Sequence, residues 1–86
     1  MGHALEAVMN LRTLEIASGI RAEVLKMLLS IEAAESIQAV NMTSHRAEGF
    51  VLGLETASAL KKEIIEMLYI GFEAATQDRR AQLQKW

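Results

Sequence analysis

Apolar residues in two stretches of this sequence recur with the period of an α-helix, but they spread around an unusually wide arc. With Val24 as the origin and about 100° per residue, the apolar positions from Ile20 to Ile31 cover about 200°, twice the width of an ordinary core-facing stripe. The stretch from Leu60 to Phe72 repeats this arc. A helix with such a face must pack against neighbours on two sides, and one isolated helical hairpin cannot supply them.

The composition favours helix almost throughout the chain. None of the 86 residues is proline or cysteine, and Asp78 is the single aspartate among eleven acidic residues. Glutamate suits helix interiors, whereas aspartate and proline favour caps and turns. The sequence therefore predicts an all-α fold. A chain of this length without disulfides often gains stability from self-association or from a bound metal.

We predict one main turn at about residues 40–44, where polar side chains interrupt the apolar periodicity. Asn41 can adopt the left-handed conformation that ends a helix, and Thr43 can cap the helix that follows. Helix A then runs from about 4 to 39 and helix B from about 45 to 82. The two long helices form an antiparallel hairpin.

The whole chain, residues 1–86, is expected to be a single helical domain. One alternative stays open, because glycine inside a helix costs about 1 kcal/mol relative to alanine. Ser18 could cap a new helix just before Gly19. The alternative is a single-chain bundle of three to four shorter helices, broken near these two residues.

The chain also resembles itself at an offset of 40 residues. Residues 14–29 and 54–69 share seven identical positions. The identical pairs are Leu14/Leu54, Glu15/Glu55, Ala17/Ala57, Ser18/Ser58, Glu23/Glu63, Met27/Met67 and Leu28/Leu68. Because glutamate and serine are among them, we interpret the similarity as an internal repeat of about 40 residues.

The wide apolar arc predicts that two hairpins pair into a dimeric four-helix bundle with a twofold axis. Oppositely charged pairs at i,i+4 are almost absent, so packing must supply the helical stability. The predicted oligomer interface consists of Ile20, Val24, Leu25, Met27, Leu28, Ile31, Leu60, Ile64, Ile65, Met67, Leu68 and Phe72.

Small residues recur on one side of helix B. Gly49 and Gly53 are four residues apart, and Ala57 follows at the same spacing. Small residues at this spacing permit close approach of two backbones. We predict a tight helix crossing at these three positions.

The candidate metal ligands are histidine and glutamate three residues apart, a spacing that places both side chains on one helical face. The pattern occurs as His45 and Glu48, and also as His3 and Glu6. Carboxylate-bridged metal bundles use the reverse order, Glu-x-x-His. We therefore predict no metal, cofactor or catalytic set, and we keep His45 and Glu48 as candidates for a metal-binding bundle.

The net charge of −2 disfavours a general binder of nucleic acid. The C-terminal segment is locally basic through Arg79, Arg80 and Lys85. Basic side chains also complement the dipole at the C-terminus of a helix. A nucleic-acid-binding regulator that uses this basic cluster is one alternative function.

The sequence contains no apolar run of the roughly 18 residues that a membrane span needs. The lack of cysteine fits a reducing compartment, and we expect a cytoplasmic protein. The leading hypothesis is a small non-enzymatic interaction protein, acting as an adaptor, inhibitor or regulator. Its expected partner is a second copy of itself, with another protein as a further partner.

Overall fold

In the computed structural model, the described part of the chain is the backbone of residues 2–85 and the side chains of residues 5–85. It forms four α-helices and contains no β-strand. The helices are α1 (Gly2–Arg12), α2 (Ser18–Ala33), α3 (Ile37–Thr56) and α4 (Lys62–Gln84). The all-α prediction is confirmed, and the number of helices matches the alternative of shorter helices rather than two long ones.

The longest helix, α4, organises the molecule because the other three helices all contact it. Helix α2 packs on α3 and α4 and makes a smaller contact with α1. Within the described residues, α1 and α3 do not touch each other. The molecule measures 41 × 25 × 18 Å along its principal axes.

The hydrophobic core collects side chains from all four helices around α4. Burying a leucine or phenylalanine side chain contributes about 1.5–3 kcal/mol relative to leaving it in water. The core cluster consists of Leu11, Leu14, Val24, Leu28, Ile31, Ala47, Val51, Ile65, Leu68, Phe72 and Ala75.

The turn predicted at residues 40–44 is wrong, because these residues lie inside α3. The polar side chains that suggested a turn have partners within the helix or on its neighbour. The hydroxyl of Thr43 donates a hydrogen bond to the carbonyl of Ala39, 3.0 Å away. The Asn41 side-chain oxygen accepts from the guanidinium of Arg80. Neither side chain is left to compete with the helical backbone.

The chain instead turns at residues 34–36, between α2 and α3. Ser36 is the N-cap of α3, and its Oγ accepts a hydrogen bond from the backbone N–H of Ala39 at 3.0 Å. The Ala34 backbone is extended, and its side chain is buried. A serine cap of this kind satisfies one of the amide groups left free at a helix start.

A second unpredicted break separates α3 from α4 at residues 57–61. The amide of Ala59 bonds to the carbonyl of Leu54 at 2.9 Å, and the amide of Ser58 bonds to the carbonyl of Glu55 at 3.0 Å. This pair of bonds is the Schellman motif, which needs a left-handed residue just after the helix. Ser58 takes that conformation with φ of 53°.

The third break lies at residues 13–17, directly before Ser18, where α2 begins. Arg21 holds this connection in place, because its guanidinium donates to the carbonyls of Arg12 and Leu14. Leu14 is buried in the core and fixes the extended segment against the helices. The predicted break near Ser18 and Gly19 is therefore present, a few residues towards the N-terminus.

Candidate interaction surface

The structure divides the twelve predicted interface residues into two groups. The buried group is Val24, Leu28, Ile31, Ile65, Leu68 and Phe72. The half-buried group is Ile20, Leu25, Met27, Leu60, Ile64 and Met67. The buried six belong to the chain's own core, because four short helices cover most of the wide apolar arc within one copy and leave Leu29 exposed at its margin.

Several large apolar side chains stay in contact with solvent instead. Among residues 5–85, the exposed ones are Leu5, Met9, Leu29, Ile37, Met42, Leu52 and Ile70. Single apolar residues on a surface are ordinary, whereas a contiguous group of them marks an interaction site. An interaction site therefore requires that several of these residues share one surface.

A cleft of about 490 Å³ lies between α1 and the C-terminal half of α4. It opens beyond the end of α2, which stops at Ala33 while α4 continues to Gln84. The lining residues are Leu5, Val8, Met9, Arg12, Glu32, Ala75, Asp78, Arg79 and Gln82. The lining of the cleft thus comes from α1, from α4 and from the last turn of α2.

An ion pair between α1 and α2 forms one edge of the cleft. Nη2 of Arg12 lies 2.9 Å from both carboxylate oxygens of Glu32. Both side chains keep more than a third of their surface in water. An exposed pair of this kind contributes at most about 1 kcal/mol to stability. Its main effect is to place one positive and one negative group next to the apolar lining.

The opposite edge is formed by polar side chains of α4. Arg79 donates through Nε to the carbonyl of Ala34 at 2.7 Å and through Nη1 to Gln82 at 2.8 Å. Gln82 in turn donates to the carboxylate of Asp78 at 3.4 Å. The guanidinium therefore satisfies a carbonyl at the C-terminus of α2, which suits the negative end of the helix dipole.

The outer face of α2 continues this surface. Leu25, Leu29 and Glu32 follow at intervals of four and three residues, which places them on one side of the helix. Leu25, Leu29 and Ala33 line a shallow groove, and Ala33 adjoins Glu32 of the cleft. We call Leu5, Met9, Leu25 and Leu29, together with the Arg12–Glu32 pair, the α1–α2 surface.

Two of the three residues predicted to contact nucleic acid, Arg79 and Arg80, have partners within the chain. Arg79 bonds to α2 as described, and Nη2 of Arg80 donates to the Asn41 side chain at 2.6 Å. Both arginines are half-buried, whereas Lys85 is exposed. The two arginines thus join the end of α4 to α2 and α3 and do not form a free basic patch.

The candidate metal ligands His45 and Glu48 lie on α3, and both are exposed. Over the part of the chain whose side chains are described, no three His, Cys, Asp or Glu residues come together in a group able to hold a metal ion. The side chain of His3 lies outside the described residues. The geometry therefore offers His45 and Glu48 no third ligand from those side chains.

The glycines of the predicted tight crossing have no close neighbour. A Cβ added to Gly49 or Gly53 would meet no atom within 4 Å, and Ala57 is exposed. The close approach occurs at Gly71 instead, where an added Cβ would lie 2.6 Å from Cδ1 of Leu11. A lone glycine inside an apolar helical stretch was the signal for this contact.

Tyr69 links α4 to the end of α3. Its hydroxyl donates to the Glu55 carboxylate at 3.1 Å. Desolvation, the hydrogen bond to Glu55 and the negative charges of Glu55 and Glu48 raise the pKa of the Tyr69 hydroxyl. This contact lies outside the α1–α2 surface.

Among the described residues, no helix combines the length and the hydropathy required to cross a membrane. No protein-family model, curated protein or solved structure significantly matches this chain.

Sequence reasoning missed Leu5 and Met9, because the predicted interface considered only the two repeated stretches. Their spacing of four residues was the available signal, since it places two apolar side chains on one face of a helix. Leu29 lay at the margin of the wide apolar arc. Its exposure depends on which neighbouring helices cover that margin, and the local sequence pattern does not specify them.

Proposed function

We propose that this chain is a small, non-enzymatic interaction protein that forms a homo-oligomer and acts through protein–protein contacts in the cytoplasm. Such a protein serves as an adaptor, an inhibitor or a regulator of another protein. The observation that carries the proposal is the α1–α2 surface, where apolar side chains from two helices lie exposed around an ion pair. Surfaces of this composition resemble the apolar centre and charged rim of protein interfaces.

Two measurements test this proposal. Light scattering after size-exclusion chromatography gives the mass of the particle at micromolar concentration, and we expect a multiple of 9.5 kDa. Purification from the native host, followed by mass spectrometry, identifies any second protein. A particle of single-chain mass that recovers no specific partner from the host would contradict the interaction function.

The two alternative functions find less support in the side-chain contacts. The guanidinium group of Arg79 donates to the carbonyl of Ala34 at the end of α2, and that of Arg80 donates to the side chain of Asn41 on α3. His45 and Glu48 have no third acidic or histidine side chain near them among the described residues. We therefore do not propose nucleic-acid or metal binding for this chain.

We also propose that the internal repeat reflects duplication of a helix pair, so that α1–α2 corresponds to α3–α4. The identical residues Leu28 and Leu68 support this idea, because both are fully buried in the core. The matched connections differ: residues 14–17 are non-helical, whereas 54–56 belong to α3. The two halves would thus differ most at their connections.

A further inference from the structure

We infer that two copies of this chain associate about a twofold axis through the α1–α2 surface. This contact rests on the proposed homo-oligomeric function and names the surface through which the copies associate. Leu5, Leu29 and Met9 are 64, 57 and 53% exposed, and Leu25 is half-buried one turn from Leu29. Removal of such apolar surface from water favours association.

The charges around this surface identify a second copy as the occupant. Arg12 and Glu32 line the cleft and keep more than a third of their side-chain surface in water, so they offer one positive and one negative group to an incoming chain. A twofold contact brings a surface against itself, so the surface must be complementary to itself. With equal numbers of positive and negative groups, each sign can meet the other across the axis.

The surface around the exposed Ile70 on α4 is not complementary to itself. Ile70 is 60% exposed, but Glu66 and Glu73 are exposed one helical turn before and after it. A twofold contact centred there would bring four carboxylates together, and like charges across an interface oppose association.

The outer face of α3 fails for a different reason. Met42 and Leu52 are each 57% exposed, yet they are ten residues apart, which is about 15 Å along a helix. Gly49 lies between them and Gly53 follows Leu52, and neither supplies a side chain. These two residues therefore do not form one continuous apolar patch.

The shape of the α1–α2 surface also suits pairing with a copy of itself. It combines a concave cleft of about 490 Å³ with the exposed Leu29, which lies on α2 one helical turn before the cleft residue Glu32. In a twofold contact, Leu29 of one copy faces the cleft of its partner, and symmetry repeats the contact.

The test compares charge substitutions at equally exposed positions. Leu29→Glu and Met9→Glu place a carboxylate in the proposed contact, while Leu52→Glu and Met42→Glu introduce the same change on α3. Light scattering at micromolar concentration should give the mass of two chains for the unchanged protein and for both α3 variants. The first two variants should give the mass of one chain. Circular dichroism checks that every variant retains its helices.

The outcomes separate this inference from the function on which it rests. A two-chain particle that survives both Leu29→Glu and Met9→Glu would overturn the α1–α2 contact and leave self-association intact. A single-chain mass for the unchanged protein would overturn self-pairing. If a host protein then binds that single chain and loses binding with Leu29→Glu, the interaction function stands with a different occupant.

Cross-linking supplies a second readout that does not depend on weakening the particle. The chain contains no cysteine, so one introduced cysteine can form a disulfide only between copies. Cysteine is placed singly at Leu5, Met9, Leu25 or Leu29. Under mild oxidation, at least one of these four should give a linked pair on a non-reducing gel, whereas Leu52→Cys should not. A linked pair with Leu52→Cys and none with the four would reject the contact.

Discussion

The side chain of Leu11 packs directly over Gly71, so that α1 approaches the backbone of α4 where α4 has no side chain. A Cβ at position 71 would lie 2.6 Å from Cδ1 and 2.7 Å from Cδ2 of Leu11. Leu11 is fully buried in this position. Position 71 therefore sets how closely α1 can pack on the central helix.

Gly71→Ala should destabilise the protein, because the added methyl group overlaps Leu11. Overpacking a close contact typically costs about 1–3 kcal/mol, which exceeds the roughly 1 kcal/mol that alanine gains in helix propensity. The free energy of unfolding from urea denaturation, followed by circular dichroism, measures the difference. Leu11→Ala should be less harmful in the Gly71→Ala background than alone, because residues in contact do not act additively. Equal effects in both backgrounds would contradict the contact.

Gly49→Ala and Gly53→Ala should have the opposite effect. Both glycines lie inside α3 with open space around them, so alanine meets no obstacle. Each change should stabilise the protein by about 0.5–1 kcal/mol through helix propensity. Urea midpoints measured beside Gly71→Ala make the comparison direct. A clear loss of stability, or of oligomer mass, would instead place another chain against these glycines.

Ser58→Gly should stabilise the protein, because Ser58 is a non-glycine residue with φ of 53°. A side chain in the left-handed region costs about 1–2 kcal/mol, which glycine avoids. Glycine also gains freedom in the unfolded chain, so we expect a net increase of about 0.5–1 kcal/mol. The matched control is Ser18→Gly, at the equivalent repeat position. There the residue is helical, and glycine should lower stability. The same sign at both positions would contradict this account.

The hydroxyl of Tyr69 should titrate above the ordinary tyrosine pKa of about 10. Desolvation, the hydrogen bond to Glu55 and nearby negative charge raise its pKa in the folded state. The folded state thus holds this proton more tightly than the unfolded state does. The resulting stability is present below pH 10 and is lost as pH rises through the folded pKa.

Absorbance near 295 nm measures this titration without interference from other phenols, because Tyr69 is the single tyrosine. Glu55→Gln removes the charge that accepts the hydrogen bond and should lower the midpoint towards the ordinary value. An unchanged midpoint in Glu55→Gln would show that the contact with Glu55 is not formed.

The sequence predicted the helical class, and it gave the break near Ser18 as the alternative to a continuous helix A, because both depend on local preferences. Composition without proline favours helix everywhere, and Gly19 marked a weak point. The position of the other breaks depended on partners far along the chain. Asn41 would suit a helix end, but Arg80, 39 residues away, binds its side chain inside α3. A prediction from local sequence patterns cannot include a contact between residues so far apart in the chain.

The break after α3 had little signal of its own, since residues 57–61 contain neither glycine nor proline. Ser36 was different, because serine is a preferred N-cap and its side chain does cap α3. The burial of six of the twelve predicted interface residues follows from these breaks. With four shorter helices, residues such as Val24 and Leu68 find neighbours within the same chain, while Leu5, Met9 and Leu29 on α1 and α2 stay exposed.

Because α1 packs extensively on α4 but shares no contact with α3 within the described residues, opening of the first helix would remove packing from α4 and leave the contact between α3 and α4 in place. Amide protons of α1 should therefore exchange with deuterium earlier than those of α2, α3 and α4, which would exchange together as one cooperative unit. An opened α1 would uncover the strip of α4 around Gly71. The slowest-exchanging amides of the molecule should lie in the middle of α4.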